Sequence, residues 1–142
     1  MSEYPSPSSQ SSQPLSQADE RLWAMLAHLS VLLNLVTGFL GVFTPLVIYF
    51  IFKDRSRFVA YQARQSFIFQ LVFWGGAGLL VGVMWAIVGI LSALLVGIIC
   101  IPFAIVLSFL PLGALIYGVI GAIQTYQGED FRYWLIADWV NV

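Results

Sequence analysis

Five of the polar side chains within mostly apolar stretches of the sequence are candidates for an intramembrane polar layer; they are His28, Asn34, Ser66, Gln70 and Gln124. An imidazole can gain or lose a proton near neutral pH, and amides and hydroxyls both donate and accept hydrogen bonds. Along a helix, His28, Gln70 and Gln124 each lie roughly 8–10 Å from the nearest charged residue, at 1.5 Å per residue. We therefore expect these side chains to lie in one layer.

Two roles are open for this polar layer. It can fasten helices together, since hydrogen bonds between helices in lipid contribute about 0.6–2 kcal/mol each. It can instead form the floor of a polar cavity that faces the cytoplasm, where His28 titrates or contacts a substrate. Gln62, Gln65 and Ser66 should lie nearer the surface than the other polar residues, and Gln62, Ser66 and Gln70 share one helix face by their four-residue spacing.

The chain carries few of the groups that enzymes use. The sequence has no Ser/His/Asp or Cys/His constellation, no metal-ligand cluster and no glycine-rich phosphate loop before a lysine. Cys100 is the single cysteine, which excludes an intrachain disulfide. We expect no catalytic activity, no metal and no cofactor.

The positions of the charged residues indicate the environment of this polar layer, because every charged residue falls outside two long stretches. Residues 22–52 and 65–128 contain no Asp, Glu, Lys or Arg. A hydrocarbon core about 30 Å thick needs roughly 20 apolar helical residues, and a soluble surface made from such stretches would be continuously apolar. The sequence predicts an all-α integral membrane protein.

The first uncharged stretch would make about 46 Å of straight helix, too long for one span and too short for two full ones. Gly38, Gly41 and Pro45 interrupt it, which favours two short helices, from about Asp19 to Val36 and from about Leu40 to Lys53. A re-entrant hairpin that does not reach the far side is the alternative.

The second uncharged stretch fits two longer spans. One should begin near Ser56, a suitable N-cap, and run to about Gly89, and the other should run from about Pro102 to Tyr126 with a bend at Pro111. Residues 90–101 can extend the third helix, lie in the far interface or form a further crossing. The favoured architecture is a compact bundle of about four transmembrane helices, a short hairpin plus two longer helices.

Charge placement predicts the orientation. A basic loop between the two stretches should be cytoplasmic; its residues are Lys53, Arg55, Arg57 and Arg64. An even number of crossings then places both termini in the cytoplasm, in a multi-pass protein of the cell membrane. A net charge of -1 argues against nucleic-acid binding. The expected partners are the lipid bilayer and either another membrane protein or further copies of the chain.

The ends of the chain differ from the middle. Residues 1–20 are rich in Ser, Pro and Gln and should be a disordered tail, followed by a membrane domain over residues 21–142. Aromatic residues that suit the headgroup region should anchor the domain at its edges; they are Trp23, Tyr61, Tyr133, Trp134 and Trp139. Small residues at four-residue spacing should let helices pack closely within the monomer; they are Gly78, Gly82, Ala86, Ala114, Gly118 and Ala122.

Four ordered motifs over about residues 20–135 resemble a family of small bacterial membrane proteins of unknown function, similar to the Tic-twenty-type component of chloroplast protein import. They are the segments 23–30, 45–54 (from Pro45-Leu46 to Lys53-Asp54), 63–70 (Ala63-Arg64-Gln65 to Gln70) and 128–133 (Gly128-Glu129-Asp130 to Tyr133). The chain departs from the family at Ile68, where Asn is frequent, and at Trp134, where Pro is frequent. The resemblance implies four membrane helices with cytoplasmic ends.

We expect a scaffold or accessory subunit of a membrane complex. The alternative, implied by the resemblance to plastid import proteins, is a component of a protein-translocation or small-solute channel. A transporter acting alone is disfavoured, because the sequence shows neither an inverted repeat nor a charge buried within a span.

Overall fold

The computed structural model describes residues 14–140, and every regular element in that range is helical. The α-helices, in chain order, are α1 (Gln17–Leu29), α2 (Leu33–Thr37), α3 (Phe43–Phe52), α4 (Arg57–Phe69), α5 (Ala77–Ser92), α6 (Gly97–Ser108) and α7 (Leu110–Gln127). Short 3₁₀ or π turns join most of them, so that they form four continuous segments: 17–37, Leu40–Phe52, Arg57–Ser92 and Gly97–Gln127. An all-helical fold is therefore confirmed.

The first segment begins where Ser16 caps α1, since the Ser16 hydroxyl accepts from the Asp19 amide at 3.2 Å. The predicted tail over residues 1–20 is thus helical from Gln17 onward, and residues 1–13 of it lie outside the described range. A 3₁₀ turn, Ser30–Leu32, joins α1 to α2. The segment ends at Gly38, whose φ of 79° suits glycine.

A tight hairpin returns the chain through Leu40–Val42 into α3. Its two arms approach closely at Gly41, where an added Cβ would lie 2.5 Å from the Ser30 carbonyl oxygen and 2.7 Å from Asn34 Oδ1. The indole N–H of Trp74 donates to the Gly38 carbonyl at 2.6 Å. In lipid a turn must find such partners, because no water is there to supply them.

The hairpin tip therefore lies beside the middle of the third segment. Trp74 is about 15 Å along that helix from Arg64, and the helix continues about 27 Å further to Ser92. The hairpin thus reaches only to the middle of the longer third segment.

The third segment begins as expected, since the Ser56 hydroxyl accepts from the Val59 amide at 3.1 Å. A π-helical stretch, Gln70–Gly76, joins α4 to α5. Residues 90–101 do not form a further crossing, because they are the end of α5, a turn and the beginning of α6. The bend expected at Pro111 is the break between α6 and α7, where Pro111 occupies the first turn of α7.

Two segments are long and apolar enough to cross a membrane: Arg57–Ser92, with 36 residues, and Gly97–Gln127, with 31. In the most apolar 18-residue stretch of each helix, only 6% and 17% is buried inside the molecule, which leaves wide apolar faces exposed. Leu40–Phe52 is a shorter apolar helix.

The packed part of the molecule is its charged half, where α1 lies against α3, α4 and α7. One buried cluster there joins Ala27, Ile48, Phe52, Val59 and Ala63. The helices α5 and α6 pair with each other and extend away from this half as a largely exposed arm. The bundle is therefore compact at one end only.

The small residues at four-residue spacing are buried in the packed half and exposed on the arm formed by α5 and α6. Gly118 is buried against α1, where an added Cβ would lie 2.7 Å from Val31 Cγ1. Gly78 and Gly82, by contrast, lie on the exposed arm, where an added Cβ would meet nothing within 4 Å, and Ala86 is exposed as well. The prediction of packing within the monomer is wrong for these three residues, because α6 lies against another face of α5.

After α7, Gly128 adopts a left-handed conformation with φ 86°. The amides of Gly128 and Glu129 bond to the carbonyls of Thr125 and Gln124 at 3.0 Å each, which ends the helix. This turn sends residues 129–140, here called the C-terminal segment, back across α4.

Candidate functional site

His28 lies at the centre of a buried polar network and is 0% exposed. Its Nδ1 is 2.9 Å from the Tyr133 hydroxyl, and its Nε2 is 3.0 Å from Gln62 Oε1. The Gln62 amide nitrogen in turn donates to Asp130 Oδ1 at 2.9 Å. One imidazole thus links α1 to α4 and to the C-terminal segment.

The direction of the hydrogen bonds follows from Asp130. A carboxylate only accepts, so the Gln62 amide must turn its nitrogen to Asp130 and its oxygen to His28. His28 Nε2 therefore carries the proton and donates, while Nδ1 accepts from Tyr133. The result is a one-way chain of donors from Tyr133 through His28 and Gln62 to the carboxylate.

Gln65 holds the C-terminal segment to α4 by two further bonds. Its amide nitrogen donates to the Phe131 carbonyl at 3.1 Å, and its oxygen accepts from the Tyr133 amide at 3.1 Å. This side chain satisfies two main-chain groups that would otherwise be buried without partners.

A second tier lies deeper, around Gln70. Its amide nitrogen donates to the hydroxyls of Ser30, at 2.9 Å, and Ser66, at 3.1 Å, and its oxygen accepts from Asn34 at 3.1 Å. Both hydroxyls donate to the Ala27 carbonyl at 2.7 Å, where the chain leaves α1 for the 3₁₀ turn. This tier fastens the first segment to α4.

Tyr133 is the aromatic part of the site and is 1% exposed. Its ring stacks on Phe69 with centroids 3.9 Å apart and planes 9° apart, and it meets Tyr117 and Phe131 edge-on. Burial raises the pKa of the Tyr133 phenol well above its usual value of 10.0, which keeps it a neutral donor.

The structure brings together four of the five predicted layer residues: His28, Asn34, Ser66 and Gln70. Gln124 lies at the expected position along its helix, but its side chain is outside the network. It is partly exposed, and its neighbour Thr125 is the buried residue on that turn. Gln62 and Gln65 belong to the buried network, although their positions in the sequence predict a place nearer the surface. The face that Gln62 shares with Ser66 and Gln70 is a signal for including Gln62, whereas Gln65 lies off that face and its spacing gives no such signal.

The predicted interfacial anchors differ in their exposure. Trp134 and Trp139 are each 74% exposed, and Trp23 and Tyr61 are half-buried, as suits the edge of a membrane. For Tyr133 the prediction is wrong, because the C-terminal segment folds inward at that residue and gives it a partner in His28.

The buried network reaches a polar cavity through Asp130 alone, because His28, Gln62, Gln65 and Gln70 are not among the residues that line it. That cavity, of about 510 Å³, lies between α3, α4 and the C-terminal segment; its lining residues are Tyr49, Lys53, Arg57, Ala60, Tyr61, Arg64, Asp130 and Arg132. Three members of the predicted basic loop line it, and Arg55 lies outside. A hydrogen bond to the Tyr61 hydroxyl raises the pKa of Arg132.

Over residues 14–140, no group of three His, Cys, Asp or Glu side chains is placed to hold a metal ion.

A model of the magnetosome magnetite crystal formation protein family, MamF_MmsF, matches residues 19–140. The chain belongs to this family. The residues matched by the MamF_MmsF model include the hairpin, the buried network and the C-terminal segment, and thus nearly all of the described fold. No curated protein and no solved structure matches the chain.

Membership in MamF_MmsF confirms the coarser part of the expected resemblance, a family of small bacterial membrane proteins. It gives no link to the Tic-twenty type of import component. Together with two long apolar helices, it places the chain in a membrane.

Proposed function

We propose that this chain is a non-catalytic accessory protein of the membrane in which magnetite crystals form, where it acts as a scaffold for other components. The family description supplies the setting. The observation that carries the scaffold role is the closed network around His28, whose hydrogen bonds join three separate parts of the chain.

A closed network supports fastening rather than transport. The side chains of His28, Gln62, Gln65 and Gln70 are 0% exposed and bond to one another or to the main chain. A conduction path needs polar groups that face water and exchange partners with the passing solute. Here these four side chains are occupied, so a rigid charged half is the better interpretation, although Asn34 Oδ1 is a buried network atom without a hydrogen-bond partner within residues 14–140.

The membrane topology is part of the proposal. Two helices, Arg57–Ser92 and Gly97–Gln127, cross the bilayer, and the first two segments form a hairpin that returns on its own side. In this arrangement both ends of the chain lie on one side of the membrane, as they also would with four full crossings. The basic residues near α4 favour the cytoplasm for that side.

This orientation has a consequence for mineral formation. The turn between α5 and α6, at the opposite end of the molecule, is built from uncharged residues. A surface without carboxylates offers iron few of the oxygen ligands it prefers. The chain therefore influences crystals through the membrane and its partners, with the exposed arm of α5 and α6 available for lateral contacts.

The experiment is deletion of the gene in a magnetite-forming bacterium, followed by return of single variants. Gln62→Leu removes the link between His28 and Asp130, whereas Gln124→Leu is a matched change outside the network. We expect Gln124→Leu to restore wild-type crystal size, measured by electron microscopy, and Gln62→Leu to restore it poorly. Co-purification in mild detergent should yield a fixed partner with wild type and less of it with Gln62→Leu.

Two results would contradict the scaffold role. One is full restoration of crystals and partner by Gln62→Leu. The other is ion or peptide conductance from the pure protein in liposomes, which would favour the translocation or channel component that the resemblance to plastid import proteins suggests.

A further inference from the structure

The cavity between α3, α4 and the C-terminal segment collects most of the positive charge of the chain. Of the six Lys and Arg residues in the sequence, four line it: Lys53, Arg57, Arg64 and Arg132. Asp130 is the one carboxylate among the lining residues, and its Oδ1 already accepts a hydrogen bond from Gln62. The charges of the lining residues thus sum to +3, in a chain with a net charge of -1, and the carboxylates of Asp130 and Asp138 both act on Arg132.

The shape of this surface suits a bound group. Its volume of about 510 Å³ falls within the range of ligand sites, about 300–1,000 Å³. Two tyrosines, Tyr49 and Tyr61, form part of the wall and bring hydroxyls beside the cations. Guanidinium, ammonium and phenol groups together are donors for an oxyanion, above all phosphate.

The surroundings of the cavity select among phosphates. Lys53 directly follows α3, and its Nζ lies 5.8 Å from the ring centroid of Phe50. On the same helix Phe50 is 60% exposed, whereas Val47 and Ile51 line a separate apolar groove against α1. An exposed apolar ring directly beside a cationic cavity in a membrane protein matches a molecule with acyl chains and a phosphate.

We propose that this cavity binds the phosphate of an anionic glycerophospholipid, whose acyl chains lie against α3 beside Phe50. Basic pockets of this kind on the cytoplasmic side of membrane proteins suit anionic headgroups. The site holds the lipid against α3, α4 and the C-terminal segment at once. This inference does not depend on the role of the chain in crystal formation.

The basic loop itself provides the control. Arg55 stands between Lys53 and Arg57 in sequence but is outside the cavity, with its guanidinium carbon 5.8 Å from the Phe52 ring centroid. A general attraction of basic residues to an anionic surface would use Arg55 as well. A built site would use only the cations that line the cavity.

The experiment is native mass spectrometry of the full chain in detergent, with phosphatidylglycerol or phosphatidylcholine of the same acyl chains as the probe. We expect wild type to retain phosphatidylglycerol in preference. Lys53→Gln and Arg57→Gln should each weaken that binding about fivefold, because one cation contributes about 1 kcal/mol near an anionic surface. Arg55→Gln should leave it within about twofold, and Arg57→Lys should restore most of it.

Three results would overturn the proposal: equal retention of phosphatidylcholine, equal loss in Arg55→Gln, or displacement of the lipid by inorganic phosphate at comparable concentration, which would assign the cavity to free phosphate. Because Lys53 and Arg57 are exposed, these variants should fold. A melting curve of each one in the same detergent checks this, and should either variant be unstable, the lipid competition with wild type decides alone.

Discussion

The imidazole Nδ1 of His28 and the hydroxyl of Tyr133 lie 2.9 Å apart, although 105 residues separate them in sequence. This bond joins the first helix to the segment that follows the last one. It is buried, and the opposite nitrogen of the same ring continues the chain of donors to Gln62. The two ends of the described chain are thus fixed to each other through one side chain.

The C-terminal segment should loosen when Gln65 is replaced. Gln65→Leu keeps the size of the side chain but leaves the Phe131 carbonyl and the Tyr133 amide without partners, at about 1–3 kcal/mol for each buried group. We expect faster proteolysis within residues 129–140, measured in detergent. Gln124→Leu is the control, and equal protection of both variants would show that the segment is held by its aromatic contacts alone.

Stability should depend on alkaline pH through Tyr133. Because burial raises its pKa in the folded protein, the neutral phenol stabilises the fold fully below pH 10, the ordinary value for the unfolded chain. That contribution is lost as the pH rises above 10 toward the folded-state pKa, since only the unfolded state then ionises. Tyr133→Phe should reduce this loss, measured as the pH dependence of the melting temperature. Tyr126→Phe, at an exposed site, should show the wild-type slope; the same slope in Tyr133→Phe would be the contrary result.

Gly41 should be intolerant of a side chain. In Gly41→Ala the new Cβ would lie 2.5 Å from the Ser30 carbonyl oxygen, so the hairpin arms must separate. We expect a loss of about 2–4 kcal/mol of unfolding free energy, within the range of overpacked cores and broken buried hydrogen bonds. Gly78→Ala should be neutral or slightly stabilising, because nothing lies near it and alanine favours helix by up to about 1 kcal/mol. Similar stabilities for the two variants would mean that the arms are not packed this closely.

The hairpin tip should be shielded from both aqueous sides. On a Cys100→Ser background, Phe39→Cys lies beside Gly75 in the middle of the third segment, whereas Leu94→Cys lies in the turn after α5. We expect a membrane-impermeant thiol reagent to label Leu94→Cys from one side of the bilayer and to label Phe39→Cys from neither. Labelling of both from the same side would instead establish that the hairpin spans the membrane completely.

Much of the fold could be predicted from the sequence because apolar length and caps are local signals. Ser56 caps α4 as expected, and the breaks at Gly38 and Pro111 fall where the chain turns or changes helix. The two long helices follow from the uncharged stretch alone. Such features need no knowledge of which faces meet.

The site was harder to predict, because the position of a residue along a helix does not say which way its side chain faces. Gln124 has the expected height, but one residue on a helix turns the side chain by about 100°, and Thr125 holds the buried position instead. Tyr133 was assigned to the interface because it stands among charged residues. The turn at Gly128 directs the segment inward, and the bonds from Gln65 and His28 and the stack on Phe69 hold Tyr133 there; these bonds and the stack are contacts between distant parts of the chain.

The most direct test of the account is a double-mutant cycle between His28→Ala and Tyr133→Phe, with unfolding free energies measured in one detergent. If their hydrogen bond fastens the first helix to the C-terminal segment, the two changes should be non-additive by about 1 kcal/mol, as for buried bonds in other membrane proteins. Strictly additive losses would contradict the central claim, because they would mean that the two side chains stabilise the protein independently.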